Sequence, residues 1–210
     1  MRKLFILGMI ALWFAIVGCM SSPPKYTQPN HYDHYDTSVV INKSMDNIWK
    51  TLVVNLGTSF FVINNMEKDS GFINLSYSGD PCNYIDCGFI NSKFKNLSGD
   101  QSANFPACKS SQQYVVSDGF NTAWLNRTMS LEGRINLTVI ELDPNKTRVN
   151  VNVKYIVTRT YSGDTSGGKY VHGKNSCSFG SNGVGVIPGS KGTTCKANGN
   201  LEKEILNLIQ

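Results

Sequence analysis

Two neighbouring segments of this 210-residue chain alternate apolar and polar residues with a period of two. Apolar or small residues occupy the odd positions from Leu131 to Val139 and again from Val149 to Val157. The turn sequence Asp-Pro-Asn-Lys, residues 143–146, separates the two segments. Because successive side chains of a strand point to opposite faces, the pattern predicts an antiparallel hairpin with one buried and one solvated face.

Two other segments have helical periodicity. After Ser44, a candidate N-cap, apolar residues recur three and four positions apart from Met45 to Leu56, and Gly57 follows as a candidate C-terminal cap. The last ten residues place Leu201, Ile205, Leu208 and Ile209 on one helical face behind Asn200. The sequence therefore predicts an early amphipathic helix and a C-terminal helix.

The segments between these elements complete a predicted fold. Residues 37–43 read as a first strand, 59–78 as a hairpin, and 162–200 as a Gly- and Ser-rich region with two short strands. Residues 91–122 form a long polar excursion without a regular pattern. The predicted fold class is α+β, with a single antiparallel sheet, the early helix, and the C-terminal helix packed on the sheet.

The N-terminus has the pattern of an export signal. Arg2 and Lys3 precede the uncharged apolar run 4–17, which is shorter than the about 20 residues that a transmembrane helix needs. The run ends in Ile16-Val17-Gly18-Cys19, which resembles the lipobox of bacterial lipoproteins. An ordinary cleaved signal, in which Cys19 has no role, is the alternative.

The lipobox resemblance implies both a modification and a location. In that family the thiol at the position of Cys19 is diacylated, the chain is cut before it, and the new amine is acylated. Met20 follows, whereas Asp at that position signals retention in the inner membrane. The resemblance thus implies a lipid anchor in the outer membrane that faces the periplasm, if the cell is Gram-negative. It divides the chain into a signal peptide 1–18, a lipidated and flexible tether 19–36, and one domain 37–210.

The charge of the chain gives no support for nucleic-acid binding. The formal net charge is +5, and loss of Arg2 and Lys3 with the signal leaves +3. The remaining basic residues are scattered along the sequence rather than clustered. Charged residues make up only 17% of the chain, and with the many Asn, Ser, Thr and Gly this composition is typical of exported β-rich proteins.

Five cysteines remain if Cys19 carries lipid: Cys82, Cys87, Cys108, Cys177 and Cys195. Export to an oxidising compartment favours disulfides, and five thiols allow at most two. Cys195 precedes the last predicted helix, so we expect it to be bridged, with Cys87 or Cys177 as its partner. The sequence does not choose between them. A zinc site is disfavoured, because the four-residue gap from Cys82 to Cys87 is wider than that of the usual zinc knuckle.

Motifs for catalysis or metal binding are largely missing from the sequence. It contains no Gly-x-Ser-x-Gly, His-Glu-x-x-His or phosphate-loop pattern. The stretch His31-Tyr32-Asp33-His34-Tyr35-Asp36 brings together two imidazoles and two carboxylates, which zinc or copper accept. It lies in the predicted tether, however, where nothing would orient the ligands. We therefore predict no metal site, no cofactor and no enzyme activity.

The order of elements resembles a helix-grip arrangement, in which a curved sheet wraps a C-terminal helix. The phrase VVINKSMDNIWKTL, residues 39–52, is similar to the opening strand and Trp-bearing helix of BamC-type lipoproteins of the outer-membrane assembly machinery. The resemblance implies a structural or assembly component that binds another envelope protein, through a sheet edge or the excursion 91–122. A fold shared with another family does not by itself carry function.

Three functions are compatible with the sequence. The first is the non-catalytic, lipid-anchored envelope component that binds a protein partner. The alternative is a helix-grip carrier of a small apolar ligand or lipid in the periplasm. The third is a hydrolase whose catalytic residues converge only in three dimensions.

Lipid attachment gives the first testable prediction. We expect radiolabelled palmitate to be incorporated into the expressed chain, and Cys19→Ser to abolish the label and release the protein from the membrane fraction, because the acyl chains supply the anchoring free energy. Mutation of Cys177 to Ser is the matched control and should leave labelling intact. Unlabelled wild-type protein, or unchanged fractionation of Cys19→Ser, would contradict the lipid anchor.

Overall fold

The computed structural model describes residues 22–30, 34–96, 99–118, 120–189 and 192–209. This described part is mostly β, with 61% of its residues in strands and 14% in helices. The described part contains thirteen strands and two α-helices: β1 Ser22–Thr27, β2 Ser38–Ile41, α1 Met45–Gly57, β3 Val62–Glu67, β4 Phe72–Gly79, β5 Ile85–Asp86, β6 Phe89–Asn96, β7 Gly99–Pro106, β8 Ser111–Ser117, β9 Thr122–Asp143, β10 Lys146–Thr165, β11 Tyr170–Gly180, β12 Val184–Ile187, β13 Thr193–Ala197 and α2 Asn200–Asn207.

The predicted hairpin is confirmed and is much longer than its apolar pattern. Strands β9 and β10 pair without interruption from Thr147 opposite Glu141 to Thr165 opposite Ala123. At about 3.4 Å per residue, a hairpin of this length measures roughly 65 Å. We call residues 131–143 and 146–157 its turn half, and residues 122–130 and 158–165 its open half.

Other strands flank the two halves of this hairpin. The central path of the largest, seven-stranded sheet runs β11-β10-β9-β4-β3, with β2 added to β10 and β8 added to β9. Strands β2 and β4 flank the turn half, whereas β8 and most of β11 flank the open half. Two three-stranded sheets, β1-β6-β7 and β12-β13-β5, complete the described architecture.

The predicted fold class is wrong. The described residues form three sheets rather than the single sheet of a helix-grip α+β fold, and the helices are a small part of the chain. The main error concerns the excursion 91–122, most of which lies in β6, β7 and β8. These strands are rich in polar residues and mix exposed, half-buried and buried positions, so the period-two apolar signal is missing while backbone pairing holds them in place.

Helix α1 covers the turn half much as its periodicity predicts. Ile48, Trp49, Leu52 and Leu56 are buried in the core. Ser44 is the N-cap residue but makes no side-chain capping bond, and its carbonyl accepts from the backbone of Asn47 and Ile48. Gly57 is the last helical residue rather than a left-handed cap. None of the helices in the described ranges is long and apolar enough to cross a bilayer.

Helix α2 lies against β10 and begins one residue earlier than its predicted cap would place it. Gly199 is the N-cap, with a φ of 82°. A Cβ at this position would lie 2.8 Å from the ring of Tyr35. Glycine is therefore required at this residue both by the backbone conformation and by the close approach of the ring.

A fully buried carboxylate on α2 is satisfied by hydroxyl groups from three separate segments. Tyr155 donates to Oε2 of Glu202 at 2.7 Å, while Ser181 and Tyr35 donate to Oε1 at 2.6 and 3.0 Å. Burial and the charge of Glu202 raise the pKa of Tyr155, so its hydroxyl stays protonated and remains a donor. The network joins α2 to β10, to the end of β11 and to the segment that follows β1.

The predicted tether, residues 19–36, differs from expectation where the structure describes it. Ser22–Thr27 form β1 and pair with β6. Tyr35 is half-buried, and its backbone exchanges hydrogen bonds of 3.0 Å with the side chain of Asn182. Much of this segment is thus packed on the domain. Cys19 itself and the signal lie outside the described residues, so the proposed division of the chain stays a prediction.

Tyr155→Phe tests the Glu202 network. Removal of the hydroxyl leaves Oε2 of a buried carboxylate without its donor, and hydrogen bonds to charged groups contribute about 1.5–3 kcal/mol. We expect the free energy of unfolding, measured with urea, to fall by about that amount. Tyr170→Phe, at a residue that is 59% exposed, is the matched control and should change it by less than about 0.5 kcal/mol. Equal effects of both variants would contradict the network.

Candidate functional site

A cavity of about 350 Å³ lies beside the open half of the hairpin, where residues of all three sheets meet. One wall comes from β1 and β6, the floor from β8, β9 and β10, and the remaining side from the ends of β12 and β13. Its lining consists of Pro23, Pro24, Tyr26, Ile90, Tyr114, Val116, Leu125, Arg127, Arg159, Tyr161, Gly189, Gly192 and Thr193. We call this cavity the arginine pocket.

The alternation of the hairpin places the pocket residues on its inner face. The odd positions that bury apolar side chains in the turn half continue into the open half, where they are occupied by Arg127 and Leu125 in β9 and by Arg159 and Tyr161 in β10. Met129 and Val157 are the last buried apolar residues of this row before the arginines. The same geometry thus makes a core in one half and a polar cavity in the other.

Arg127 is buried without enough hydrogen-bond partners. Its side chain is 1% exposed, and one terminal nitrogen, Nη2, donates to the carbonyl oxygen of Ala107. The Nε and Nη1 groups are also buried, and neither has an acceptor in the described structure. A buried unsatisfied polar group costs about 1–3 kcal/mol, and more when it is charged.

Arg159 lies beside Arg127 but is held by protein acceptors. Its Nη2 donates to the carbonyl of Pro188 at 2.6 Å and to Oδ1 of Asn175 at 3.4 Å, while Nη1 donates to Thr193 at 3.3 Å. Its Nε is buried without a partner. Arg159 is thus positioned by its neighbours.

No carboxylate balances these two charges by direct contact in the described part of the chain. The three salt bridges found there, Lys68–Asp46, Lys95–Asp100 and Arg134–Glu132, involve neither arginine of the pocket. Burial lowers the pKa of Arg127 to about 10; Tyr114 opposes this shift and the charge of Arg159 adds to it. The Arg127 guanidinium is therefore cationic at neutral pH, and a cavity lined by two arginines without a carboxylate partner among the described residues is suited to an anion.

The wall opposite the arginines is apolar and firmly attached. Pro23, Pro24 and Tyr26 come from β1, an edge strand of its sheet. The hydroxyl of Tyr26 lies 3.1 Å from the carbonyl oxygens of Cys87 and Thr194, to which it can donate, and it accepts from the backbone of Thr194 at 2.9 Å. This side chain therefore fastens β1 to β13 and to the segment between β5 and β6.

Two of the cysteines predicted as disulfide partners, Cys87 and Cys195, lie close to this wall. Cys195 is bonded to Cys87, the first of the two partners that the sequence left open. Cys177 is a half-buried free thiol, and burial raises its pKa. A second disulfide joins Cys82 to Cys108, a pairing that the sequence analysis did not single out. The Cys87–Cys195 bond connects the chain beside Tyr26 to β13, so it supports two sides of the pocket.

The other sequence-predicted residues do not contribute to the pocket. Cys19 and residues 31–33 lie outside the described residues, whereas His34 and Asp36 are exposed. Tyr35 contacts Glu202 rather than either of these neighbours. The described ranges contain no cluster of three or more His, Cys, Asp or Glu residues that could hold a metal ion.

Sequence reasoning missed both arginines of the pocket. The signal was their odd position, which continues the buried row of the hairpin beyond its apolar residues. Neither Arg127 nor Arg159 stands out in the sequence, because each has polar neighbours and looks like one of the scattered basic residues of the surface.

Comparison with known proteins identifies no relative of this chain. No family model matches the chain, and no curated protein and no solved structure matches it. The geometry of the arginine pocket is therefore the basis for the function proposed below.

Arg127→Met tests whether this side chain serves stability or binding. An uncompensated buried charge opposes folding, so we expect the variant to be as stable as the wild type or more stable by about 1–3 kcal/mol. The folded-state pKa of about 10 lies below the ordinary value of 12.5. The gain should therefore be full below about pH 10 and shrink above it, because deprotonation then relieves the wild type of its buried charge.

Urea unfolding at about pH 7 and about pH 11 measures this effect. Arg159→Met is the contrast, because Arg159 donates to three protein acceptors. We expect that variant to lose about 1–3 kcal/mol. A loss of similar size in Arg127→Met at neutral pH would mean that Arg127 is a structural residue.

Proposed function

We propose that this protein is a lipid-anchored, non-catalytic binding protein of the cell envelope whose ligand is a small amphiphilic anion. Its location would be the outer membrane, facing the periplasm, if the cell is Gram-negative. The observation that carries the ligand class is the pair Arg127 and Arg159, which line one cavity and together hold three buried donor nitrogens without acceptors in the described structure. The envelope location is supported by the lipobox resemblance at Cys19.

The electrostatics of the pocket favour an anion over a neutral ligand. A carboxylate or phosphate supplies oxygen atoms that accept from guanidinium N–H groups, often in pairs. Binding would place a negative charge beside Arg127 and Arg159, and would balance a charge that burial destabilises. An uncharged ligand would leave that charge uncompensated.

The walls of the pocket favour a ligand with an apolar body. Val116, Leu125 and Ile90 are aliphatic, Tyr114 and Tyr161 offer ring surface, and β1 adds two prolines. A cavity of about 350 Å³ is within the range of small-molecule sites. One anionic group and a short hydrocarbon or aromatic body therefore fit both the charge and the surface. Carboxylic acids and phosphate monoesters share this chemistry.

The described lining is suited to binding rather than to a reaction. A general base or nucleophile would have to be supplied by an imidazole, carboxylate, thiol, activated hydroxyl or similar group. Among the described residues, the lining holds no His, Asp, Glu, Lys or Cys. Thr193 carries the one aliphatic hydroxyl of that described lining, and its oxygen accepts from Arg159.

A protein partner is a second candidate function, supported by a different surface. Strand β3 is the outermost strand beside β4, so its free edge can pair with a strand of another chain. Phe60 and Val62 at its start are both more than half exposed. This edge is remote from the arginine pocket, and it remains the main candidate if the pocket fails the following test.

Ligand binding can be measured by calorimetry on the acylated full-length mature protein in detergent. We expect octanoate and octyl phosphate to bind with one-to-one stoichiometry, and octanol to bind at least about 10-fold more weakly because it has no charge. Arg127→Met should reduce the affinity for both anions by about 10- to 100-fold. The relative affinities of the two anions identify the headgroup that the pocket prefers.

Arg148→Met is the matched control, because Arg148 is exposed on the opposite face of β10. This variant carries the same acyl chains, so partition of the probes into detergent is the same, and its affinity should equal that of the wild type. Equal binding of octanol and octanoate, or unchanged binding in Arg127→Met, would refute the proposed ligand class.

A further inference from the structure

Exposed aromatic side chains gather at the open end of the long hairpin. Phe120, in the turn between β8 and β9, is 96% exposed, and Trp124 is 47% exposed. Tyr170, at the start of β11, is 59% exposed. Exposure of several neighbouring aromatic rings to water is unfavourable in free energy, and such a patch indicates a surface that another partner covers.

The backbone holds these residues in one place. Trp124 pairs with Asp164 on β10, and Asp164 pairs with Tyr170 on β11. The two turns at this end are joined, since the backbone of Ser166 donates to the carbonyl of Thr122 at 2.7 Å. Phe120 therefore lies in a turn that adjoins the row formed by Trp124 and Tyr170.

The turn that carries Phe120 is itself ordered by a side chain. Oδ1 of Asp118 accepts from the backbone of Phe120 at 2.9 Å and of Asn121 at 2.7 Å. Such a turn presents the Phe120 ring at its tip instead of folding it back onto the sheet. The ring is thus displayed to the surroundings by a defined conformation.

The described chain begins beside the same aromatic cluster. Ser22, the first residue of β1, pairs with Lys93 on β6. The next residue of β6, Phe94, contacts Trp124 with ring centroids 6.4 Å apart. Ser22 follows Cys19 by three positions in the sequence, and an extended chain spans at most about 3.6 Å per residue. Acyl chains on Cys19 would therefore keep the bilayer within about 11 Å of Ser22.

Charges at this end do not favour an electrostatic partner. Three lysines are balanced by three aspartates near the turns and the β6–β7 hairpin: Lys93, Lys95, Lys169, Asp100, Asp118 and Asp164. Because neither positive nor negative charge is in excess, this surface offers no net electrostatic attraction to an acidic or a basic protein. Aromatic side chains among mixed charges are instead typical of the interfacial layer of a membrane, where ring and polar atoms are both accommodated.

We infer that the open end of the hairpin docks on the lipid bilayer, with Phe120, Trp124 and Tyr170 in its interfacial layer. The occupant of this surface is the membrane that holds the Cys19 anchor, so the inference rests on the lipid attachment proposed above. Docking fixes the orientation of the domain: the open end faces lipid, and the turn at residues 143–146 points away from it. It also brings the wall formed by Pro23 and Pro24 close to the membrane surface.

Tryptophan fluorescence can test this orientation in the acylated mature protein, reconstituted into vesicles with or without brominated acyl chains. The mature chain has two tryptophans, the buried Trp49 and the exposed Trp124. We expect brominated lipid to quench Trp124 and to have no effect on the emission that remains in Trp124→Phe. Because the charges are balanced, quenching should be the same in neutral and anionic lipid. Phe120→Ser should reduce quenching at least about two-fold by removing one of the anchoring rings.

Phe60→Ser is the matched control, since Phe60 is 55% exposed and lies in the segment between α1 and β3. It should leave quenching unchanged. Trp124 that stays unquenched in vesicle-bound, acylated protein overturns the docking while leaving the anchor intact. Protection of Trp124 from an aqueous quencher without quenching by brominated lipid would assign the surface to a protein partner and also overturn it. The mass of the N-terminal peptide reports acylation separately, and an unacylated chain that stays off the vesicles would refute both anchor and docking.

Discussion

One alternation of side chains, carried through the whole length of the β9–β10 hairpin, determines both the core and the candidate site. Its inner face is apolar in the turn half, where it is covered by α1 and α2. The same face carries Arg127 and Arg159 in the open half. A slip of one residue in either strand would turn the apolar row toward water and the arginines away from the cavity. The register of this pair is thus the constraint from which the fold and the pocket follow together.

Two charged side chains that are buried in the described structure, Glu202 and Arg127, differ in how completely the protein satisfies their hydrogen bonds. Glu202 receives hydroxyl donors from Tyr155, Tyr35 and Ser181, so its desolvation is offset inside the protein. Arg127 has one protein acceptor and two donor nitrogens without a partner in the described structure. The first arrangement is that of a structural residue, because it is complete without a ligand. The second leaves a buried charge without a full set of acceptors, and this difference is the physical basis for treating the arginine pocket as the candidate site.

The sequence predicted the parts of the fold in which apolar periodicity is strong. The hairpin and the buried face of α1 could be recognised because burial of Val, Leu and Ile leaves a regular trace. Strands β6 to β8 left no such trace, since they are polar and held mostly by backbone pairing. The arginines were missed for a related reason: a charge at an inward position is normally a sign that a strand has left the core. Only the three-dimensional contacts show that Arg127 is buried.

Strand β1 belongs to the pocket and to the path toward the proposed anchor at the same time. It is an edge strand, paired only with β6 in the described structure, and it is fastened at its far end by Tyr26. Tension along the chain from Cys19 would act on Ser22 first and peel β1 from β6, which removes the proline wall. If a ligand touches both this wall and the arginines, detaching β1 from β6 must also break the ligand's contacts with the wall. The force on the chain and the occupancy of the pocket by ligand would then be coupled. A pull on the anchor would lower the affinity, and a bound ligand would make the attachment harder to strip.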